Sequence, residues 1–258
     1  MLRGVISLAL AGCVALLTAG PPARAADAVP AAVRAAVADP NRPDADKQRD
    51  ADRKPAESVA FAGIKKGDHV ADLLAGGGYF TRIFSKLVGD KGVVYALVPP
   101  PRPNAPPGAP DFAAPLNAIA ADPNYKNVRV APINPGGALT PEPVDVVWTS
   151  LNYHDLHNRP NADLHAFNQS VFNALKPGGT YIVVDHAAAP GAGTSVTSTL
   201  HRIDPEAVKS EVTAAGFVLA GESVVLRNPQ DPHTAQVRDP SIRGKTDQFI
   251  LKFRKPGK

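Results

Sequence analysis

The chain has 258 residues, of which 44% are hydrophobic and 20% are charged, and its formal net charge is +4. This composition is typical of a globular protein and excludes a disordered tail, a collagen and a coiled coil. Met1 and Cys13 are the single methionine and the single cysteine. A mature chain without these two residues would exclude disulfide scaffolds, thiol nucleophiles, CxxC redox chemistry and cysteine-ligated zinc.

Residues 1–25 have the pattern of an export signal. Arg3 precedes an uncharged, mostly apolar run, and Ala23 and Ala25 place small residues at the two positions that a signal peptidase reads. We predict cleavage before Ala26 and a periplasmic or secreted protein. An uncleaved anchor is disfavoured because the apolar run is shorter than the ~20 residues that a membrane span needs.

A lipoprotein signal is the less favoured alternative for the same segment. Residues 10–13, Leu-Ala-Gly-Cys, resemble a lipobox, which would anchor the protein to a membrane at Cys13. The apolar run continues through Leu17, however, where a mature lipoprotein normally becomes polar. We therefore predict no stable membrane insertion after the signal is removed.

Cleavage would also change the charge of the protein. Because Arg3 and Arg24 leave with the signal, 26 basic residues would face 24 acidic ones, and the net charge would be +2. A nearly neutral chain with 6% aromatic residues gives no electrostatic reason to expect nucleic-acid binding. The predicted partner is a small-molecule substrate, and the sequence does not fix the oligomeric state.

The region that follows, residues 26–54, is predicted to be a short helix over 28–38 and a strongly charged arm over 41–54. Most of the charged side chains in the arm are predicted to face solvent. Pro55 suits the first turn of a helix that would end at Gly63. A single domain is predicted over residues 55–258.

Seven apolar runs in this domain alternate with helical patterns, which predicts an α/β fold with a mostly parallel sheet. The predicted strands are 69–74, 93–98, 127–132, 144–149, 180–185, 218–226 and 246–253. Residues 161–175 and a segment that Asp204 caps are predicted helices, residues 176–179 a turn, and the proline-dense residues 99–115 an irregular loop.

Three glycines, Gly76, Gly77 and Gly78, follow the first predicted strand and precede a helix. This arrangement lets a nucleotide-like ligand approach the backbone at the positive end of the helix. The segment approaches the dinucleotide fingerprint GxGxxG, but Val98 stands where a dehydrogenase needs an acid. The acid lies in the first strand instead, at Asp72.

This arrangement resembles the class I S-adenosylmethionine (SAM) methyltransferases. The segments that carry the resemblance are 70–81, 143–148, 175–185 and 214–217. More narrowly, residues 49–55, 152–157 and 243–249 resemble an exported bacterial group of predicted methyltransferases. Leu74 stands where the family has its first glycine, Val98 where it has the acid that holds the ribose, and residues 132–135 lack the acid expected near adenine.

The resemblance implies a Rossmann-like seven-stranded sheet whose last strand is antiparallel, with SAM as the cofactor and a methyl group transferred to an unidentified small acceptor. The cofactor-binding residues that it implies are Asp72, Leu74, Gly76, Gly77, Gly78, Tyr79 and Asn152. From its position before the first strand, the charged arm is predicted to fold over the pocket as a lid.

Methyl transfer from a sulfonium is an in-line displacement, so the protein mainly positions the reactants and supplies a base. Polar residues that follow the fourth and fifth predicted strands are the candidates. His154 is the predicted base because imidazole titrates near neutrality, and Asp155 is predicted to orient it. Asp185 and His186 are predicted to face the acceptor.

Two other functions remain open. Because SAM is a cytoplasmic metabolite, the exported chain would instead be a degenerate Rossmann-fold binding protein without methyl transfer. The second alternative is a His/Asp metal-dependent enzyme, since six of the seven histidines lie beyond residue 150. No recognised ligand spacing such as HExxH is present, so no metal residue is predicted. The sequence contains no GxSxG motif, which disfavours nucleophilic hydrolysis.

Overall fold

The computed structural model describes residue 1 and residues 29–100, 104, 106, 108–134 and 137–257. The predicted export signal and its lipobox cysteine, Cys13, lie outside the described residues. In the part of the chain that is described, no helix combines the length and apolar character needed to cross a membrane.

Four helices precede the first strand, and helices and strands are interspersed from there on along the described part of the chain. The helices are α1 (Ala31–Val37), α2 (Asp44–Lys47), α3 (Asp50–Arg53), α4 (Pro55–Ala62), α5 (Tyr79–Val88), α6 (Ala114–Ala121), α7 (Tyr153–Leu156), α8 (Leu164–Ala174) and α9 (Pro205–Ala214). The strands are β1 (His69–Leu73), β2 (Val93–Val98), β3 (Val128–Pro132), β4 (Val144–Ser150), β5 (Leu175–His186), β6 (Val218–Ser223) and β7 (Gln248–Arg254).

The strands form one sheet in the order β3-β2-β1-β4-β5-β7-β6. Neighbouring strands are parallel from β3 to β5, whereas β7 is antiparallel to both β5 and β6. The predicted α/β class and its antiparallel last strand are thereby confirmed. The chain moves outward from β1 to β3 and then returns to place β4 on the other side of β1. This topological switch point is where open α/β sheets bind ligands.

A hydrophobic layer covers each face of the sheet. Helices α1, α4, α5 and α6 pack on one face, and α7, α8 and α9 pack on the other. Trp148 of β4 is fully buried in the first layer, where its ring centroid lies 4.7 Å from that of Phe80 and 5.4 Å from that of Phe84. The helix that follows the glycine loop is thus packed directly against β4.

The predicted turn at residues 176–179 is wrong, because these residues belong to β5. Val144 pairs with Leu175 and Val146 with Thr180, so β5 bulges outward between the two pairs. Gly178 adopts a φ of +77°, and its N–H donates to the Lys255 carbonyl at 3.0 Å. A bulge with a left-handed glycine keeps the strand paired where the sequence pattern indicates a break.

The prediction that residues 99–115 lack regular structure fails at Pro115, which lies in the first turn of α6. A proline there loses no hydrogen bond, because the first N–H groups of a helix have no partner within the helix. The helix predicted over 161–175 begins only at Leu164, where the Asp163 side chain accepts a hydrogen bond from the Ala166 N–H. Strand β6 ends at Ser223 instead of residue 226.

Candidate functional site

The glycine loop leaves β1 through a left-handed turn. Leu74, which stands where the resemblance places a glycine, has a φ of +56°, and Gly76 has a φ of +58°. A left-handed conformation costs a residue with a Cβ atom about 1–2 kcal/mol. The left-handed turn is therefore present in this chain although its first residue is a leucine and not a glycine.

Gly76 and Gly77 expose their backbone to solvent. A Cβ atom placed on either residue would meet no atom of the described residues within 4 Å. At Gly78, by contrast, a Cβ atom would overlap the side chain of Ile119 in α6. Gly76 and Gly77 therefore leave room for a ligand, whereas Gly78 lets two helices pack.

Asp72 lies buried beneath this loop, with 4% of its surface exposed. Its Oδ2 accepts a hydrogen bond of 2.6 Å from the Thr81 hydroxyl in α5. Burial raises the pKa of Asp72 to about 7, although the Thr81 hydrogen bond and the nearby positive charge of Arg53 both act to lower it. A carboxyl group with a pKa near neutrality thus lies directly beneath the glycine loop.

The charged arm packs against the start of α5. The Tyr79 hydroxyl donates to Asp50 Oδ1 at 2.6 Å, and Arg82 Nη1 donates to Asp46 Oδ2 at 3.0 Å. The Arg53 guanidinium lies over the Tyr79 ring, 4.6 Å from its centroid, and burial lowers the pKa of this arginine to about 10. Tyr79, an expected cofactor contact, therefore directs its hydroxyl at the arm.

Asn152 joins the ends of β1 and β4. Its Nδ2 donates to the carbonyls of Leu73 at 3.4 Å, Leu74 at 3.3 Å and Ser150 at 3.1 Å, and its Oδ1 accepts from the Thr149 hydroxyl. The expected cofactor contact at Asn152 is thus a brace that fixes the floor of the switch point.

A second polar cluster follows β4 and β5. His154 Nδ1 lies 2.8 Å from Asp185 Oδ1, and the His154 N–H donates to Asp185 Oδ2 at 2.8 Å. Asp185 is fully buried, so it orients the imidazole instead of facing an acceptor. Asp155, which the sequence predicts as the orienting group, lies at the other ring nitrogen, 3.4 Å from Nε2.

The surroundings of His154 and His186 shift the pKa values of these two histidines in opposite directions. Burial disfavours a charged His154, but the Asp185 carboxylate outweighs this effect and raises the pKa of His154. Burial lowers the pKa of His186 to about 4, so this ring is neutral near pH 7. His186 Nδ1 lies 2.7 Å from the Thr246 hydroxyl, and its ring centroid is 6.0 Å from that of His154.

His201 joins this cluster, although sequence reasoning assigned it no role beyond the metal alternative. Its Nδ1 lies 3.1 Å from Asp155 Oδ1. His157 and His233 instead pair with Glu211 and Asp247, at 3.2 Å and 3.0 Å. No local pattern signals the position of His201, because 46 residues separate it from Asp155.

Arg53 connects the loop and the histidine cluster. Its positive charge acts on Asp72, which it favours as a carboxylate, and on His186, which it disfavours as an imidazolium. Sequence reasoning missed this arginine because its arm precedes β1 and contains many other charges. The arm, the loop and the cluster therefore border one region at the carboxyl ends of β1, β4 and β5.

Two clefts open in the described part of the chain, and the residues that line them include none from the arm, the glycine loop or the histidine cluster. One of about 680 Å³ lies at the ends of β2 and β3, where Val98, Pro100 and Pro132 are among the residues that line it. The other, of about 980 Å³, lies between residues 133–143 and helix α8. The side of the switch point where the resemblance places a ribose-binding acid is therefore largely apolar.

No protein-family model and no curated protein matches the sequence. Solved structures do match. A SAM-dependent methyltransferase from Aquifex aeolicus aligns over 83% of this chain and 98% of its own, with a TM-score of 0.56 and 18% identity. The glycopeptide N-methyltransferase MtfA, in complex with SAM, aligns over 78% of this chain and 87% of its own, with a TM-score of 0.51 and 16% identity.

The fold is that of the class I methyltransferases. A third similar structure, the 4+2 cyclase SpnF, aligns over 83% of this chain and 82% of its own, with a TM-score of 0.55 and 15% identity. Because methyltransferases and a cyclase share this fold, the reaction has to be argued from the site itself.

Proposed function

We propose that the chain is a SAM-dependent methyltransferase that binds its cofactor at the switch point between β1 and β4 and acts on a small acceptor. One observation carries the proposal. An exposed left-handed glycine turn opens the backbone at this point, directly above a buried carboxyl. Backbone N–H groups and a carboxylate suit a ligand that carries both carboxylate and cationic groups, as SAM does.

The residues present fit SAM at the loop and depart from the family at the ribose. Room above Gly76 and Gly77 and the buried Asp72 support the fit. Val98, 6% exposed at the end of β2, offers no carboxylate to ribose hydroxyls. We therefore expect the ribose of SAM to lie against the apolar cleft of about 680 Å³ and to make fewer hydrogen bonds there than a ribose-binding acid would allow.

When bound, SAM supplies an electrophilic methyl group, and the residues of the chain position the acceptor and take its proton. The Asp155 side chain is 43% exposed, whereas that of His154 is 3% exposed. We propose that Asp155 receives the proton and passes it to His154 Nε2, which is 3.4 Å away. The buried Asp185 then stabilises the imidazolium through its 2.8 Å hydrogen bond.

Calorimetry with SAM and S-adenosylhomocysteine on residues 26–258 tests cofactor binding. Gly77 is not among the residues with a positive φ and has an open Cβ position, so Gly77→Val should fill ligand space without straining the fold. We expect this variant to lose at least about tenfold in affinity, which corresponds to about 1.4 kcal/mol. Gly257→Val is the matched control, because its Cβ position is also open and it lies at the carboxyl terminus.

No heat with either ligand at high micromolar concentration would contradict the proposal. The absent ribose acid at Val98 favours a second candidate, a binding protein without methyl transfer. Heat without formation of S-adenosylhomocysteine, across a panel of small hydroxyl, amine and thiol acceptors, would support this second candidate. We also propose that the protein is periplasmic or secreted.

A further inference from the structure

A group of three side chains in the second cluster has the composition of a metal site. His154, Asp155 and His201 each offer one ligand atom, and the three atoms lie within 4.8 Å of one another. We propose that these residues bind a divalent transition-metal ion of the Zn²⁺ type through two imidazole nitrogens and one carboxylate oxygen. The proposal does not depend on SAM binding. With an ion bound, His154 Nε2 is a ligand and cannot take a proton, so the proton relay through Asp155 belongs to the metal-free protein.

The distances between the donor atoms fit a shared ion. Zinc bonds to histidine nitrogen and carboxylate oxygen are about 2.0–2.2 Å long, so tetrahedral ligands of one ion lie about 3.4 Å apart. His154 Nε2 and His201 Nδ1 lie 3.4 Å and 3.1 Å from Asp155 Oδ1. Each nitrogen therefore already stands at the separation from the carboxylate oxygen that a shared ion requires, and the two nitrogens lie within 4.8 Å of each other.

Asp185 supplies the support that a metal-binding histidine usually has. Its fully buried carboxylate lies 2.8 Å from His154 Nδ1 and also accepts the N–H of the same residue. A proton held on Nδ1 leaves the Nε2 lone pair free to bind a metal, and such carboxylate–histidine pairs fix the ring and raise its basicity. The Asp185–His154 pair thus orients a ligand atom toward Asp155 and His201.

The donor set selects the class of ion. Two imidazoles and one carboxylate suit Zn²⁺ and its first-row neighbours, whereas Mg²⁺ and Ca²⁺ prefer oxygen ligands throughout. Three protein ligands leave a tetrahedral ion one position for water or substrate. The side chains of Asp155 and His201 are 43% and 25% exposed, so an ion can arrive from solvent and retain that open position.

The left-handed backbone of His201 is a further sign of a functional constraint. This residue has a φ of +55°, a conformation that residues with a Cβ atom rarely adopt. Strained backbone of this kind occurs preferentially at active sites and ligand contacts. In this conformation His201 Nδ1 lies 3.1 Å from Oδ1 of Asp155, 46 residues earlier in the chain.

The test is a Zn²⁺ titration of untagged, chelator-treated protein by calorimetry, together with elemental analysis. We expect one ion per chain. His201→Asn suits the left-handed backbone, because asparagine tolerates this conformation, and should weaken Zn²⁺ binding by about 100-fold or more. His165→Asn is the matched control, because His165 is exposed on α8 and lies outside the site.

Asp155→Asn provides an independent variant with a partly buried side chain, so a folding defect in one variant does not decide the result. Circular dichroism confirms that each variant is folded, and the visible spectrum of Co²⁺-loaded protein reports four-coordinate geometry. Substoichiometric Zn²⁺, or equal affinity in the wild type and His201→Asn, would overturn the proposal. In that case a protonated His154 bridges the two carboxylates without a metal. Loss of Zn²⁺ binding with unchanged S-adenosylhomocysteine binding would separate the two proposals.

Discussion

Asp72 illustrates how a single buried carboxyl connects stability with binding. The residue is 4% exposed, and among the described residues the Thr81 hydroxyl donates a hydrogen bond to it. Burial raises its pKa from 3.8 to about 7, so folding favours the protonated form. A cationic ligand above the loop would favour the carboxylate instead. The ionised Asp72 therefore lowers the stability of the free protein, and a bound cationic ligand would offset this loss.

We expect Asp72→Asn to stabilise the protein at pH 8 and to weaken SAM binding. Between pH 4 and pH 7 the native state holds a proton that the unfolded chain releases, so wild-type stability falls as the pH rises through this window. The amide avoids this penalty, which is on the order of 2–4 kcal/mol above pH 7. Urea unfolding followed by the fluorescence of Trp148, the single tryptophan, measures the difference.

The advantage of Asp72→Asn should shrink as the pH falls toward 4, because the wild-type carboxyl is then protonated in both states. Asp90→Asn is the control, since its side chain is 82% exposed and its removal should leave the pH profile unchanged. An Asp72→Asn variant that is less stable than wild type at pH 8 would contradict the expectation.

The residues of the site were predictable where they follow strands. Asp72, His154 and Asp185 lie at the carboxyl ends of parallel strands, which a strand pattern locates and the topology brings together. Their partners were not predictable. Arg53 and His201 reach the site through long-range contacts that leave no local periodicity. Side-chain roles also changed, since Asp185 instead of Asp155 orients the imidazole.

At the scale of elements, an ion pair with a buried arginine braces the charged arm internally. Arg42 is 1% exposed, and its Nη1 and Nη2 donate to the two oxygens of Asp50 at 2.9 Å and 2.6 Å. Asp50 also accepts from the Tyr79 hydroxyl at the start of α5. This carboxylate therefore connects the arm to the helix that follows the glycine loop.

We expect Asp50→Asn to loosen the arm and to weaken SAM binding. The change leaves the Arg42 guanidinium buried without its counter-charge, which costs about 3 kcal/mol, near the low end of the usual range because Asp50 is 27% exposed. Limited trypsin cleavage in residues 41–54 should accelerate. Asp44→Asn in the same arm is the control, since that side chain is 92% exposed and its pair with Lys47 is weak.

Deletion of residues 41–54 extends this test to the whole arm. Unchanged SAM affinity after the deletion would count against the lid. If Asp50→Asn is cleaved faster but binds SAM with unchanged affinity, the arm has a structural role only.

The elements themselves were largely predictable, because hydrophobic runs and glycine or proline boundaries are local signals. All seven strands were predicted, and α4 begins at Pro55 and precedes Gly63 as expected. The errors at Pro115 and residues 176–179 share one cause. Proline and glycine mark breaks in a pattern, but a helix tolerates proline in its first turn and a bulged strand tolerates glycine.

At the scale of the molecule, a buried ion pair attaches the long connection between β6 and β7 to the sheet. Arg202 is fully buried, with its Nη1 2.8 Å from Asp231 Oδ2 and 3.0 Å from the Ala187 carbonyl. Asp231 also accepts the Asp247 N–H at 2.6 Å. The connection places Thr246 beside His186, so the Arg202–Asp231 pair stabilises the site without contacting the loop.

We expect Arg202→Met to destabilise the protein by about 3–5 kcal/mol, because the Asp231 carboxylate would remain buried without its counter-charge. Thermal unfolding measures the loss. Lys126→Met is the control, since its pair with Asp90 is exposed and worth at most about 1 kcal/mol. An Arg202→Met variant as stable as this control would show that the pair contributes little to holding the connection.

The predicted export signal leads to an expectation about the whole chain. Cleavage before Ala26 would fall ahead of α1, whose Val33 and Ala36 are buried in the first hydrophobic layer, so all the described residues of that layer remain in the processed chain. In a Gram-negative host, we expect the periplasmic fraction to contain a protein whose intact mass begins at Ala26. This chain would contain no sulfur, and a reducing agent should not change its stability. Cys13→Ser should be processed identically, whereas an acylated product that begins at Cys13 would establish the lipoprotein alternative.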